Sequence, residues 1–166
     1  MVVGFLLVES NFIEKLRNVQ IIGWMTLIFG ILLYVSDKFN LDKKVDNDFT
    51  YKTAIIIGLF QLASLIPGVS RSGIAITACR LLKFKRFDSA KIAFLLSIPT
   101  LGAVSIYGIK NIISSHDINF SFLNFFSVIF SFLFSIVTIK FFLKFIKSFS
   151  LNVFVIYRIL LGTALL

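Results

Sequence analysis

The chain has 166 residues, 58% of them hydrophobic and 15% charged, with a mean hydropathy of +0.96. A soluble domain is about 45–50% apolar and about 25% charged, so the excess apolar surface is matched to lipid; a secreted disulfide scaffold, a disordered tail and a typical cytosolic enzyme are excluded. The net charge of +9 fits basic loops at a bilayer face better than a nucleic-acid surface, and the lone Cys79 can close no intrachain disulfide.

In chain order, Val2 to Val8 is apolar but too short to span, and lacks the basic start and cleavage site of a signal peptide. It reads as the tail of a helix. A spanning helix needs about 20 mostly apolar residues, and Val19 to Ser36, uncharged throughout, supplies the first span. In the 37–52 connector, Asp37, Asp42, Asp46 and Asp48 alternate with lysines, the pattern of a solvated loop and not of a metal cage. Thr53 to Ser70 is uncharged but breaks at Pro67-Gly68, and the leg that follows, Ser72 to Leu82, is about 16 Å of helix, too short to cross. Residues 53–82 are therefore expected to form a re-entrant hairpin. Asp88 is read as a helix N-cap ahead of a span over 92–113, in which Pro99 should produce a kink. His116, the one histidine, falls in a short loop and is read as solvated. Spans over 118–146 and 153–166 follow, the last carrying Arg158, which is expected to snorkel or to pair with a carboxylate. The 21 phenylalanines are ascribed to AT-rich codon usage, which a lipid-facing surface tolerates. The fold expected is an all-α integral membrane protein, one polytopic domain over 1–166.

Charge placement favours the hairpin. It puts Lys38, Lys43, Lys44, Lys52, Arg80, Lys83, Lys85, Arg86, Lys91, Lys140, Lys144 and Lys147 on one face, and Lys15, Arg17 and Lys110 on the other. That is 12 against 3; a full crossing by Thr53 to Ser70 gives at best 10 against 5. The positive-inside rule prefers the former and places the 37–52 and 83–91 loops in the cytoplasm.

The hairpin tip reads Pro67-Gly68-Val69-Ser70-Arg71-Ser72-Gly73. An arginine at membrane depth is costly and marks a site. A helix start just after it offers unpaired N–H groups and the positive end of a dipole, and guanidinium matches phosphate oxygens. A phosphate or diphosphate suits this arrangement; so does a helix break capped by serine, with Arg71 paired to a distant carboxylate. The residues alone leave the two readings level.

The run from Gln61 to Gly73 resembles the second signature, PGxSRSxxT, of the bacterial undecaprenyl-diphosphatase family, also called bacitracin-resistance proteins. The resemblance continues through Ala90 to Pro99 and the Tyr157 to Gly162 ending, roughly residues 20–166. It implies hydrolysis of a polyprenyl diphosphate to its monophosphate, recycling the lipid carrier of cell-wall precursors. It also implies a multi-pass protein of the bacterial inner membrane, built from two inverted repeats, of which this chain resembles the second. By the same resemblance, Arg71, Ser70 and Ser72 are catalytic, and Gly68, Gly73 and Gln61 bind substrate. No metal ligand is assigned; a divalent cation such as Mg2+ is the one cofactor the resemblance admits.

Two departures from the family stand out. The closing threonine of the signature falls on Ala75, with Thr77 two residues on. The first family signature, with paired acids, serines and a histidine, is not found; Glu9 and Glu14 precede no such run and read as surface residues. The chain is thus expected to be the C-terminal portion of a family member. A missing N-terminal half or another subunit would then supply the carboxylates and histidine, and the chain alone would be a poor phosphatase. A membrane anion or lipid-phosphate transport module is the competing reading, and an inactive fragment a third.

Overall fold

A computed structural model describes residues 18–39, 42–114 and 122–166. Glu9, Glu14, His116 and the 2–8 stretch lie outside the described residues. The described elements are helices α1 (Val19–Asp37), α2 (Val45–Asp48), α3 (Tyr51–Leu62), α4 (Arg71–Leu81), α5 (Arg86–Ser114), α6 (Phe122–Ser148) and α7 (Asn152–Ala164), with a 3-10 turn over Ala63–Leu65. Among the described residues the one β-type contact is an isolated bridge between Lys43 and Phe84. The fold is all-α, as the apolar periods required.

Local chemistry sets the boundaries. Asn18 caps α1, its side chain accepting from the Gln20 amide at 3.1 Å, and α3 starts on a Thr50/Thr53 capping box. The α3 leg ends where Pro67 cannot continue a helix, and α4 restarts at Arg71, 11 residues long as its apolar run implied. The two legs pack against each other: Ile57 of α3 shares a buried cluster with Ala78 and Cys79 of α4, and Phe49 meets Phe84 beyond the open ends. They form a helical hairpin closed at 66–70. Every residue from Ile74 to Arg80 is buried, which makes α4 the central helix of the fold.

Three helices are long and apolar enough to cross a membrane: α1, α5 over Arg86–Lys110 and α6 over Phe125–Ser148. The expected final span is corrected, because α7 has 13 residues, about 20 Å of helix, against a hydrocarbon core of about 30 Å. Nor is Asp88 an N-cap: α5 begins at Arg86 and places Asp88 in its first turn, where a carboxylate suits the helix dipole. Pro99 lies inside this continuous helix, with the Ser97 hydroxyl donating to the Phe94 carbonyl at 2.6 Å.

α7 packs along α1 through glycines. A Cβ on Gly162 would stand 2.6 Å from Leu27 Cγ and 3.1 Å from the Gly23 carbonyl, closer than packing allows. Small residues permit such approach between apolar helices. By contrast, α6 exposes its side chains from Phe125 to Lys140, five of them phenylalanines, as a lipid-facing surface would.

The open end of the hairpin is closed by a buried ion cluster that the sequence reading missed. Asp37 is not a solvated loop residue; its side chain is 3% exposed. Its carboxylate accepts from Arg86 Nε at 2.8 Å and Nη2 at 2.9 Å, and lies 3.0 Å from Arg80 Nη2. It also accepts from the Leu151 amide at 3.4 Å. Arg80 adds bonds to the carbonyls of Asp37 and Phe84. The ends of α1, α4 and α6 and the starts of α5 and α7 thus meet at one level, with Lys38, Lys85 and Lys147 beside them.

Candidate functional site

The hairpin tip is built by three backbone devices. Gly68 has φ +93°, and a Cβ there would sit 2.5 Å from the Ile22 carbonyl oxygen, so the position admits only glycine. Ser70 has φ +69° without being glycine, a strained conformation of the kind stored at functional sites. It nevertheless caps α4, its hydroxyl accepting from the Gly73 amide at 3.3 Å. The amides of Arg71 and Ser72 have no hydrogen-bond partner among the described residues. They are the open donors of a helix start.

The break also strands two carbonyls, those of Gly68 and Val69. Arg158 of α7 satisfies both: Nη2 donates to Gly68 O at 2.8 Å and to Val69 O at 2.9 Å. Thr26 of α1 adds a weaker bond to Gly68 O at 3.3 Å. Arg158 therefore neither snorkels nor pairs with a carboxylate, because the hairpin itself supplies acceptors at its depth. It is 7% exposed, its Nε is buried without a partner, and its Nη1 lies 2.7 Å from where a Cβ on Gly73 would be. Gly73 thus leaves room for the guanidinium beside the start of α4.

A cavity of about 490 Å³ opens beside this tip, between α1, α4, α6 and α7. Gly68, Ser70, Ser72, Gly73 and Arg158 line its polar end; Phe142, Phe154 and Leu161 are among its apolar walls. The structure thus gathers Ser70, Ser72, Gly68 and Gly73 around one space and adds Arg158. Arg71, half-buried at the same helix start, is not among the lining residues and makes no ion pair among the described residues. Gln61, half-buried in the last turn of α3, does not line it either.

Ala75, at the position of the family threonine, is 1% exposed and packs in the core with Leu33, Ile76, Ala90 and Ala93. Thr77 does not replace the missing hydroxyl, since it donates to the Gly73 carbonyl of its own helix at 2.8 Å. None of the cavity-lining residues is acidic, and no cluster of three or more His, Cys, Asp or Glu side chains suited to a metal occurs among the described residues. The described part of this cavity does not fit Mg2+.

Open amides at a strained helix start, two serine hydroxyls and a buried guanidinium beside an apolar-walled cavity form a set of donors chemically suited to an anion, at a helical-hairpin tip in an all-α protein. Residues 1–164 match the family model described as bacitracin resistance protein BacA, and the chain belongs to that family; its three spanning-length helices make it a multi-pass membrane protein. It is 50% identical to an undecaprenyl-diphosphatase of Pelagibacter ubique over 166 residues, covering 99% of this chain and 64% of that protein. It is 43% identical to an undecaprenyl-diphosphatase of Aliivibrio salmonicida, over 96% of this chain and 60% of the relative. A third, from Jannaschia, is 36% identical over 98% of this chain and 61% of its own length. The chain spans about three-fifths of the length of these relatives.

Proposed function

We propose that this chain carries the diphosphate-binding hairpin of an undecaprenyl-diphosphate phosphatase. The observation that carries the reading is the start of α4, where the free amides of Arg71 and Ser72 share one corner with the Ser70 and Ser72 hydroxyls and Arg158. A diphosphate brings up to three negative charges to a low-dielectric site, and preorganised donors there lower the barrier by holding the charge that develops. In the reaction, an oxygen nucleophile attacks the terminal phosphorus and the bond to the bridging oxygen breaks. Undecaprenyl phosphate leaves with the electron pair, and inorganic phosphate is the second product. Ser70 and Ser72 donate to the phosphate oxygens, Gly68 and Gly73 let the backbone and Arg158 close in, and Arg71 neutralises charge from the same helix start. The apolar walls accommodate the proximal prenyl units.

Proton handling is assigned to a facing half, on a longer polypeptide or another subunit, that brings carboxylates and a histidine to the tip. In this reading the hairpin is re-entrant in the bacterial inner membrane, the second of two inverted repeats, with the Asp37 level at the cytoplasmic face. Such placement of half-helix N-termini near the midplane is a recurrent solution for anionic substrates.

The test joins this chain, by co-expression, with the part of the Pelagibacter ubique relative that it does not cover. Phosphate release from undecaprenyl diphosphate is expected from the pair and from neither part alone. Movement of intact lipid diphosphate across vesicles without phosphate release would replace the phosphatase with a transporter.

A further inference from the structure

At the opposite end of the hairpin from the tip lies a second cavity, of about 590 Å³, where α1, α4 and α6 end and α5 and α7 begin. Five cations line it, Lys38, Arg80, Lys85, Arg86 and Lys147, against the single carboxylate of Asp37. Asp37 is already committed to both arginines, so the cavity retains an excess of four positive charges. Arg80 bonds Asp37 and the carbonyls of Asp37 and Phe84, keeps a buried Nε without a partner, and serves as the charged floor. Arg86 keeps Nη1 uncommitted among the described residues. None of the three lysines has an acidic partner among the described residues. Two of their ammonium groups are held over aromatic rings instead, Lys38 over Tyr34 and Lys147 over Phe87, each at 4.4 Å.

We propose that this cavity is a headgroup site for an anionic phospholipid. Like charges gathered around one buried carboxylate repel each other unless an anion joins them. A phosphate diester would take hydrogen bonds from Arg86 Nη1 and the lysines. The source is a lipid because the rim is apolar as well as basic. Phe39, more than half exposed, and the exposed Tyr34 line it, and acyl chains would lie along them. Basic pockets between helix ends at a membrane face hold lipid phosphates in this way. The site is separate from the tip, and the inference stands whether or not the tip hydrolyses diphosphate.

The test is native mass spectrometry of the purified full chain, incubated with phosphatidylglycerol or phosphatidylcholine of identical acyl chains. Wild type is expected to retain phosphatidylglycerol about tenfold more than phosphatidylcholine. The preference should vanish in K38Q/K85Q/K147Q and persist in K52Q/K140Q/K144Q, which removes equal charge from lysines outside the cavity. If circular dichroism shows that the cavity triple has lost helix, K85Q alone is read in its place and should reduce the preference about threefold. Equal retention of the two lipids overturns the proposal. So does equal loss in both triples, which would mean diffuse surface charge. Thermal stabilisation by inorganic phosphate without lipid retention also overturns it, by assigning the cavity to a soluble anion.

Discussion

Arg158 and Gly68, separated by 90 residues, are joined by a 2.8 Å hydrogen bond, and the same Nη2 reaches the Val69 carbonyl. The last helix therefore holds the tip of the central hairpin. Without Arg158 each of these carbonyls would lack its best donor, and each unsatisfied buried group costs about 1–3 kcal/mol. Arg158→Ala should lower the melting temperature in detergent and reduce any turnover. Arg158→Lys should recover part of the stability, because an ammonium can still donate to a carbonyl. An Arg158→Ala protein as stable as wild type would remove Arg158 from the support of the tip.

The buried Asp37 makes the reverse case, a carboxylate holding two arginines. Asp37→Asn leaves Arg80 without its counter-charge in a 5%-exposed position and should cost about 3–5 kcal/mol. Arg86→Leu should cost less, since its side chain is 36% exposed and Asp37 keeps Arg80. Denaturant titration in detergent ranks the two. An equal, small effect from both would mean the cluster is solvated.

Ser70 separates strain from chemistry. Ser70→Ala loses the cap, worth about 0.5–2 kcal/mol, and keeps the positive φ. Ser70→Gly also loses the cap but relieves a backbone strain of about 1–3 kcal/mol. The glycine variant should therefore melt above the alanine variant, while both release phosphate more slowly than wild type if the hydroxyl binds phosphate oxygens. Full activity in Ser70→Gly would make the residue a helix cap alone.

Re-entrance is tested from the two sides of the membrane. Cysteines at positions 44 and 85, one before the hairpin and one after it, should both label from the same face. Natural Cys79 is fully buried and should stay silent. Labelling of the two from opposite faces would turn residues 53–82 into a crossing.

Much of this was legible in the sequence, and the reasons differ by element. Pro67 and the short leg after it announced the helix break and the 11-residue α4, because proline has one local effect wherever it occurs. Long apolar runs announced α1, α5 and α6 by length alone. Asp37 was misread because its setting, an acid ahead of lysines at a helix end, looks like any solvated loop. Its partners, Arg80 and Arg86, lie 43 and 49 residues away. Arg158 was legible as a charge within an apolar run, but its partners are backbone carbonyls, which no residue pattern advertises. The sequence therefore marked Arg71 for the site and gave Arg158 a snorkelling or ion-pairing role, where the structure brings Arg158 to the cavity.

The measurement that bears most directly on the hairpin tip as a phosphate site is phosphate release from undecaprenyl diphosphate by this chain assembled with the uncovered part of the Pelagibacter ubique relative. Arg71→Ala and Ser72→Ala should each lower kcat at least about a hundredfold, the scale of losing one preorganised donor to a developing oxyanion. Lys52→Ala, exposed at the far end of α3, should leave it unchanged. Undiminished kcat in both tip variants, with helical content retained, would contradict the account.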